Sequence, residues 1–229
     1  MIGLIRLRLC SVVIGFVIAA TGCGTRDSVC SPLAVKLGFY IAVTVTNLPA
    51  AVDIAKQREK LGEQGAESSS HIVQWLPIAN IRNWIKDTSE RSAINADAVS
   101  YFESNWRLVG ARKADEYYLL VHTASDKTMQ YCREAPWGVE NVVLSRDNVG
   151  RPSILVELDS VGANRMRELT TPHLGEPLAI VVNGRVFSAP VLQSPLGRRL
   201  LITGEFTEDE ARHLRDQLVE FIPSLSRGG

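Results

Sequence analysis

The chain has 229 residues, of which 45% are hydrophobic and 22% are charged, an ordinary composition for a folded protein. Its 25 Lys and Arg residues balance its 25 Asp and Glu residues, so no overall field attracts nucleic acid or a strongly charged substrate. The residues after Cys23 are enough for one large domain or two small ones with a real core, and nucleic-acid binding is disfavoured.

The N-terminus has the layout of a secretory signal. Two arginines precede the apolar run 11–20, and small residues stand directly before Cys23. The run is too short for a comfortable membrane span, which needs about 20 apolar residues. We predict that residues 1–22 are a signal peptide and that Cys23 carries lipid. The protein would then be a membrane-anchored lipoprotein facing the periplasm or cell exterior; the alternative is an uncleaved N-terminal anchor helix.

Two further cysteines remain if Cys10 leaves with the signal and Cys23 takes the lipid. Cys30 and Cys132 then form a possible disulfide, since an extracytoplasmic compartment lets such bonds persist. The alternative is that both cysteines remain free, unreactive thiols. The sequence does not decide between them, because a bridge requires Cα atoms about 4.4–6.8 Å apart.

The first half of the mature chain is predicted as a tether, residues 23–33, followed by an N-terminal α+β region, residues 34–135. Residues 39–46 are rich in β-branched and aromatic types and predict a strand, as do residues 117–123. Residues 50–61 place apolar side chains on one helical face. No fold is assigned to the polar stretch 86–98.

The second half of the chain, residues 136–229, alternates strands with helices. Asp159 is predicted to cap a helix that carries Ala163, Met166 and Leu169 on one face. Thr207 and Glu210 predict a capping box for a last helix that carries Ala211, Leu214, Leu218 and Phe221. The predicted strands are 139–145, 154–158, 178–182, 185–192 and 200–203.

Two turn signals refine this half. Asn183-Gly184 joins two strands and is typical of a type I′ hairpin turn, which needs positive φ at both central residues. Pro190 places the strand 185–192 at an edge or at a bulge. The element order predicts an α+β fold, with helices packed on one face of a largely antiparallel sheet.

The sequence offers little for catalysis. The four histidines, at positions 71, 122, 173 and 213, have no partner at a metal-ligand spacing, and no nucleophile, phosphate-loop or Cys-x-x-Cys motif is present. His173 lies between two prolines in a predicted surface loop; the alternative is a switch or a ligand-binding residue. We predict no catalytic residue, no metal and no cofactor. The four tryptophans, at positions 75, 84, 106 and 137, are expected in the core; the alternative is a groove for an apolar or peptide ligand.

The C-terminal motifs resemble a known family. They are Asp147-Asn148-Val149-Gly150-Arg151-Pro152, Gly162-Ala163, Leu169-Thr170, the run from Leu178 to Val186, Ser188-Ala189-Pro190, and the run from Ile202 to Thr207. Their order and spacing over about 80 residues resemble the head subdomain of the first large periplasmic domain of SecD, a subunit of the bacterial protein-export machinery. Farther upstream, Trp75-Leu76-Pro77 and Tyr118-Leu119-Leu120-Val121 are similar to segments before that head.

The resemblance implies a ferredoxin-like head at residues 136–229, beside the smaller N-terminal region. Together with the N-terminal signal, it predicts a non-enzymatic, stand-alone lipoprotein that binds unfolded or emerging polypeptides or Sec export subunits. Strand addition would place the binding site at the edge that carries Arg185, Phe187 and Val191. Pro190 is also typical of an edge strand that is protected from pairing with another chain. The alternatives are an envelope scaffold that reuses the fold, and a hydrolase with an unrecognised site.

Overall fold

The computed structural model describes residues 37–48, 73–85, 87–131, 137–204, 206–219 and 222. The predicted lipidation at Cys23, the predicted pair Cys30 and Cys132, and the predicted helix 50–61 lie outside these residues. No helix in the described ranges is both long and apolar enough to cross a bilayer.

The described elements comprise short strands, helices and 3₁₀ turns. The strands are β1 (Leu37–Ile41), β2 (Val73–Pro77), β3 (Gly110–Lys113), β4 (Glu116–His122), β5 (Thr128–Tyr131), β6 (Val139–Arg146), β7 (Pro152–Leu158), β8 (Leu178–Val182), β9 (Arg185–Ser188) and β10 (Arg199–Ile202). The α-helices are α1 (Thr88–Ala96), α2 (Ala98–Trp106), α3 (Ser160–Thr170) and α4 (Glu208–Val219). The 3₁₀ helices are Ile81–Trp84, Ser125–Lys127 and Thr171–His173.

The strands form three sheets, with the orders β5-β1-β8-β9, β10-β7-β6 and β2-β4-β3. Every strand pair in these sheets is antiparallel. The predicted fold class, α+β with a largely antiparallel sheet and packed helices, is confirmed. The first sheet is called the central sheet below.

The central sheet is buried on both faces. Leu37, Phe39 and Ile41 of β1 pack into a core that also holds side chains of β7, α3 and α4. Tyr40 faces the opposite core, which holds side chains of α1, α2 and β4. All five residues of β8 are buried, which explains its uninterrupted apolar sequence.

The central sheet joins the two regions that the sequence analysis separates at residue 136. Strands β1 and β5 come from the first region and β8 and β9 from the second, yet β1 pairs directly with β8 from Leu37 opposite Val182 to Ile41 opposite Leu178. The described part of the first region therefore supplies strands and core side chains to the second. The division at residue 136 stays a prediction about chain organisation.

The predicted helix caps are confirmed. The Asp159 carboxylate accepts the Gly162 N–H at 2.6 Å, and Ala163, Met166 and Leu169 are buried. At α4, the Thr207 hydroxyl accepts the Glu210 N–H at 3.2 Å, while Glu210 accepts the Thr207 N–H at 2.9 Å. These reciprocal bonds satisfy two helix donors that would otherwise lack partners.

Two strand boundaries differ from prediction. The strand predicted over 39–46 ends at Ile41, because Thr44 and Asn47 form reciprocal side-chain to backbone bonds that turn the chain. The strand predicted over 185–192 ends at Ser188. The Asn183-Gly184 turn is confirmed, with φ of 48° and 74°.

Candidate functional site

A groove of about 290 Å³ lies between the two regions of the chain. Its first wall comes from the 3₁₀ helix Ile81–Trp84 and the last residue of α2. Its second wall comes mainly from the end of β9 and the two residues that follow it. The lining residues are Asn83, Trp84, Ile85, Trp106, Arg151, Phe187, Ser188, Ala189, Pro190, Thr203 and Gly204. The lining is mostly apolar, with a few polar groups, as in many ligand-binding clefts.

A β-bulge places Phe187 in this groove. Ile180 pairs with Ser188 and Val181 pairs with Val186, so Phe187 is the extra residue of β9. A bulge breaks the strict alternation of side chains and redirects the strand. Phe187 is half-buried against the core between the central sheet and the helices while it lines the groove.

Two tryptophans form the opposite wall. The Trp84 ring is buried, and its centroid lies 5.7 Å from the Phe102 ring and 5.5 Å from the Trp106 ring, both edge-on. Trp106 donates its indole N–H to the Trp84 carbonyl at 3.2 Å and remains 37% exposed. The predicted core role is confirmed for Trp84 and Trp137, whereas Trp84 and Trp106 also line the groove.

The 3₁₀ helix that carries Trp84 is fixed at its start. The Asn80 side chain accepts the Arg82 N–H at 3.0 Å and donates to the Glu210 carboxylate of α4 at 2.9 Å. At its end, the Tyr101 hydroxyl oxygen lies 2.8 Å from the Trp84 carbonyl and 2.9 Å from the Glu90 carboxylate, which share its one proton. Burial and then the Glu90 hydrogen bond raise the pKa of Tyr101 to about 12. The hydroxyl is therefore a donor at neutral pH.

The predicted binding edge is partly covered within the protein itself. Arg185 forms an ion pair with Glu116 at 2.8 Å and donates to the Ile78 carbonyl at 3.2 Å. The Val186 carbonyl accepts the Ala79 N–H at 2.9 Å. The hydrogen bond from Arg185 is the main cause of a lowered pKa at Glu116. These contacts therefore prevent a bound polypeptide from pairing as an added strand with the start of β9.

Val191 lies on a different surface from Phe187. It forms an isolated bridge with Pro177, and its side chain is 46% exposed. The neighbouring main chain is also paired, since the Pro190 carbonyl accepts the Leu178 N–H at 2.9 Å. Of the three predicted edge residues, the structure brings Phe187 into the groove, ties Arg185 to the first region and leaves Val191 outside the groove.

Three groove-lining residues carry buried polar atoms without a hydrogen-bond partner among the described residues: Trp84 Nε1, Asn83 Oδ1 and Ser188 Oγ. An unpaired buried donor or acceptor costs about 1–3 kcal/mol. Buried polar groups in proteins are nearly always paired, so three unpaired atoms along one groove are unusual. They supply one donor, one acceptor and one hydroxyl that can act as either.

A second polar cluster lies at the other end of β8. His173 is buried, contrary to the predicted surface loop, because its Nδ1 lies 3.0 Å from Glu176 Oε1. The other oxygen of Glu176 accepts the Asn47 amide at 2.9 Å. Burial opposes ionisation of Glu176, but the hydrogen bonds from His173 and Asn47 lower its pKa overall. This cluster attaches the turn after β1 to the segment before β8.

His122 is also buried, and its Nε2 has no hydrogen-bond partner within the described ranges. Burial is the main cause of its lowered pKa; Lys127 and His173 lower it further, while Glu176 and Asp126 oppose the shift. The folded protein therefore disfavours protonated His122, and the resulting stability is lost as the pH falls below about 6.5, the ordinary histidine pKa.

We expect His122→Gln to flatten the dependence of unfolding free energy on pH between about 7 and 5. Urea unfolding at several pH values measures this slope, with His213→Gln as the control because His213 is exposed. An equal slope in wild type and His122→Gln would exclude the proposed role of His122.

Within the described ranges, no three His, Cys, Asp or Glu side chains are grouped so that they could hold a metal ion. The charge of His173 contributes to the lowered pKa of His122. His213 lies on α4, where its ring contacts Gln217. His71 lies outside the described residues.

Residues 138–219 match the family profile described as SecDF, P1 head subdomain. The matched segment holds β6 to β10, α3, all of α4 and the Phe187 wall of the groove. This segment of the chain is therefore similar to the SecDF P1 head subdomain.

Relatives of the head subdomain are found among SecD proteins. The protein translocase subunit SecD of Aquifex aeolicus (strain VF5) is 43% identical over 186 residues, which cover 81% of this chain and 32% of that protein. SecD of Leptotrichia buccalis is 41% identical over 76 residues, covering 33% of this chain and 19% of that protein. SecD of Magnetococcus marinus is 32% identical over 122 residues, covering 53% and 22%.

The segment aligned with the A. aeolicus protein has 186 residues, so it must include residues before position 138. The chain spans 19% to 32% of the length of these three relatives. A solved structure described as SecDF that enhances protein export covers 80% of this chain at 17% identity, with a TM-score of 0.36. A SecDF structure from Thermus covers 82% at 18% identity, with a TM-score of 0.33.

Most groove-lining residues lie in segments that the sequence singles out, but no sequence pattern predicts that they meet in one groove. Phe187 is one of the predicted edge residues, and both groove tryptophans are expected in the core or in a ligand groove. Ser188 and Thr203 lie in the motifs that resemble the family, whereas Asn83 lies in none of them. Asn83 and Thr203 are separated by long stretches of chain, so no local spacing links them.

Proposed function

We propose that this protein is a non-enzymatic, extracytoplasmic relative of the SecD head that binds unfolded or emerging polypeptides during protein translocation. The observation that carries the proposal is the groove, in which Trp84 and Trp106 on one wall and Phe187 on the other lie beside unpaired polar atoms. Aromatic anchors supply large contact area to varied side chains, which suits a ligand without fixed sequence. The similarity of residues 138–219 to the SecDF P1 head subdomain supports the export context.

The proposed placement is on the outer side of a membrane, through lipid on Cys23. The support is the signal-like N-terminus and the small residues before that cysteine. We expect Cys23→Ser to move the protein from the membrane fraction to the soluble fraction. Equal partition of the wild type and the variant would contradict the lipid anchor and leave the groove proposal intact.

Polypeptide binding is tested with a fluorescently labelled, reduced and carboxymethylated α-lactalbumin, which cannot refold, and with the native form as a folded control. We expect the unfolded form alone to bind. Trp106→Ala is expected to weaken binding at least tenfold, about 1.4 kcal/mol, because truncation of an aromatic anchor removes contact area from the groove. Fluorescence anisotropy titration measures both affinities.

The matched control is Val149→Ala, since Val149 is 68% exposed and is not a lining residue of the groove. Its affinity is expected to equal that of the wild type. Binding of neither form of α-lactalbumin, together with recovery of one stable folded partner from solubilised membranes, would replace the proposal with the envelope-scaffold alternative. Turnover of an envelope substrate would favour the hydrolase alternative.

A further inference from the structure

We infer that the groove binds the main chain of its polypeptide, through Trp84 Nε1, Asn83 Oδ1 and Ser188 Oγ, while the aromatic walls hold a neighbouring apolar side chain. The inference rests on the proposed function and specifies how the same site recognises its ligand. The three atoms lack hydrogen-bond partners among the described residues, and all three belong to residues that line the groove.

The chemistry of the three atoms fits a peptide unit. Indole Nε1 is only a donor and the Asn carbonyl oxygen is only an acceptor, so a complementary ligand presents an acceptor and a donor. Each peptide unit carries one C=O and one N–H. The Ser188 hydroxyl can pair with a second main-chain group in either role. Main-chain recognition requires no fixed sequence, as expected for a protein that binds many unfolded chains.

The local structure explains why these atoms lack internal partners. Asn83 and Trp84 lie in a 3₁₀ helix of one turn, whose end is followed by extended backbone at Ile85. Ser188 is the last residue of β9, directly after the bulge at Phe187. All three therefore lie where regular structure ends and the groove begins.

The three atoms are buried from solvent in the structure. Ligand access requires a wall side chain to move, and Trp106 is the wall residue for this role. It is 37% exposed, and it lies edge-on against the Trp84 ring with a ring separation of 5.5 Å. Its indole N–H donates to the Trp84 carbonyl at 3.2 Å, longer than the common N–H to O distance.

The test compares two peptide ligands that differ only in their central linkage, which is an amide in one and an ester in the other. The first is the blocked peptide acetyl-Ala-Leu-Leu-Ala-amide, and the second replaces its central amide with an ester, which removes one N–H donor. Tryptophan fluorescence follows binding because Trp84 and Trp106 line the groove. We expect the ester to bind about 5- to 150-fold more weakly, the range that corresponds to one unpaired buried acceptor.

Asn83→Leu supplies the decisive control, because it removes the acceptor and keeps a side chain of similar size. The amide-to-ester affinity ratio is expected to fall to about one in this variant, and a ratio within one variant is independent of small changes in stability. Ser188→Ala is expected to weaken the binding of both ligands.

The outcomes separate the two proposals. Equal binding of amide and ester to the wild type, with tight binding of unfolded α-lactalbumin, would overturn main-chain recognition and leave the proposed function in place. Binding of neither peptide nor α-lactalbumin would overturn both. An unchanged amide-to-ester ratio in Asn83→Leu would show that Asn83 Oδ1 does not accept the peptide N–H and would overturn the inference.

Discussion

Replacing Phe39 with alanine is expected to lower the free energy of unfolding by about 3–5 kcal/mol, the usual cost of deleting a buried aromatic ring. Phe39 is 1% exposed, and its ring lies 6.5 Å from that of Trp137. Its strand, β1, pairs with both β5 and β8, so few movements of the backbone can fill the cavity. Urea unfolding followed by far-UV circular dichroism measures the change.

This prediction tests how the head subdomain is built. Phe39 lies outside the matched segment 138–219, yet its side chain belongs to the same core as α3 and α4. Val143→Ala is the control, because Val143 lies within the matched segment but is 39% exposed. A cost for Phe39→Ala no greater than that of the control would show that β1 is dispensable for the head core.

Gly110→Ala is expected to destabilise the protein by about 1–3 kcal/mol through overpacking, and to weaken polypeptide binding as well. A methyl group on Gly110 would overlap the Phe102 ring, which is fully buried. Phe102 lies edge-on against Trp84, with ring centroids 5.7 Å apart, so a shift of its ring disturbs the groove wall. Thermal unfolding and the α-lactalbumin titration measure the two effects.

Gly197→Ala is the matched control, since its added methyl group would meet its nearest neighbour, the Arg167 guanidinium, at 3.6 Å, an ordinary contact. We expect this variant to keep wild-type stability and affinity. A Gly110→Ala protein as stable as Gly197→Ala would contradict the packing between β3 and α2. Reduced stability with unchanged affinity would contradict the link from Phe102 to the groove.

Local signals were the predictable part of the fold. The Asn183-Gly184 turn, the Asp159 cap and the Thr207 capping box each depend on residues close in sequence, and all three are present. Helices α1 and α2 were not predicted, although Asp87 and Asp97 cap them. Helix α1 buries only Ile94, so its apolar periodicity is too weak to identify a helix.

The candidate site was less predictable, because it depends on contacts between distant segments. The bulge at Phe187 is set by the register of β9 on β8, and a one-residue change of register moves side chains between faces. Ala79 donates its N–H to β9, and Arg185 forms an ion pair with Glu116. Both contacts join residues more than 60 positions apart in the sequence. His173 is buried because Glu176 is available to its ring, which a loop composition does not indicate.

Site-specific photocrosslinking tests the central claim, that the groove binds unfolded polypeptide. A benzophenone amino acid replaces Phe187 in one variant and Leu174 in another, since Leu174 is 48% exposed and does not line the groove. After irradiation with carboxymethylated α-lactalbumin, we predict a crosslinked product from position 187 and none above background from position 174. Equal crosslinking from both positions, or crosslinking from position 174 alone, would contradict the claim.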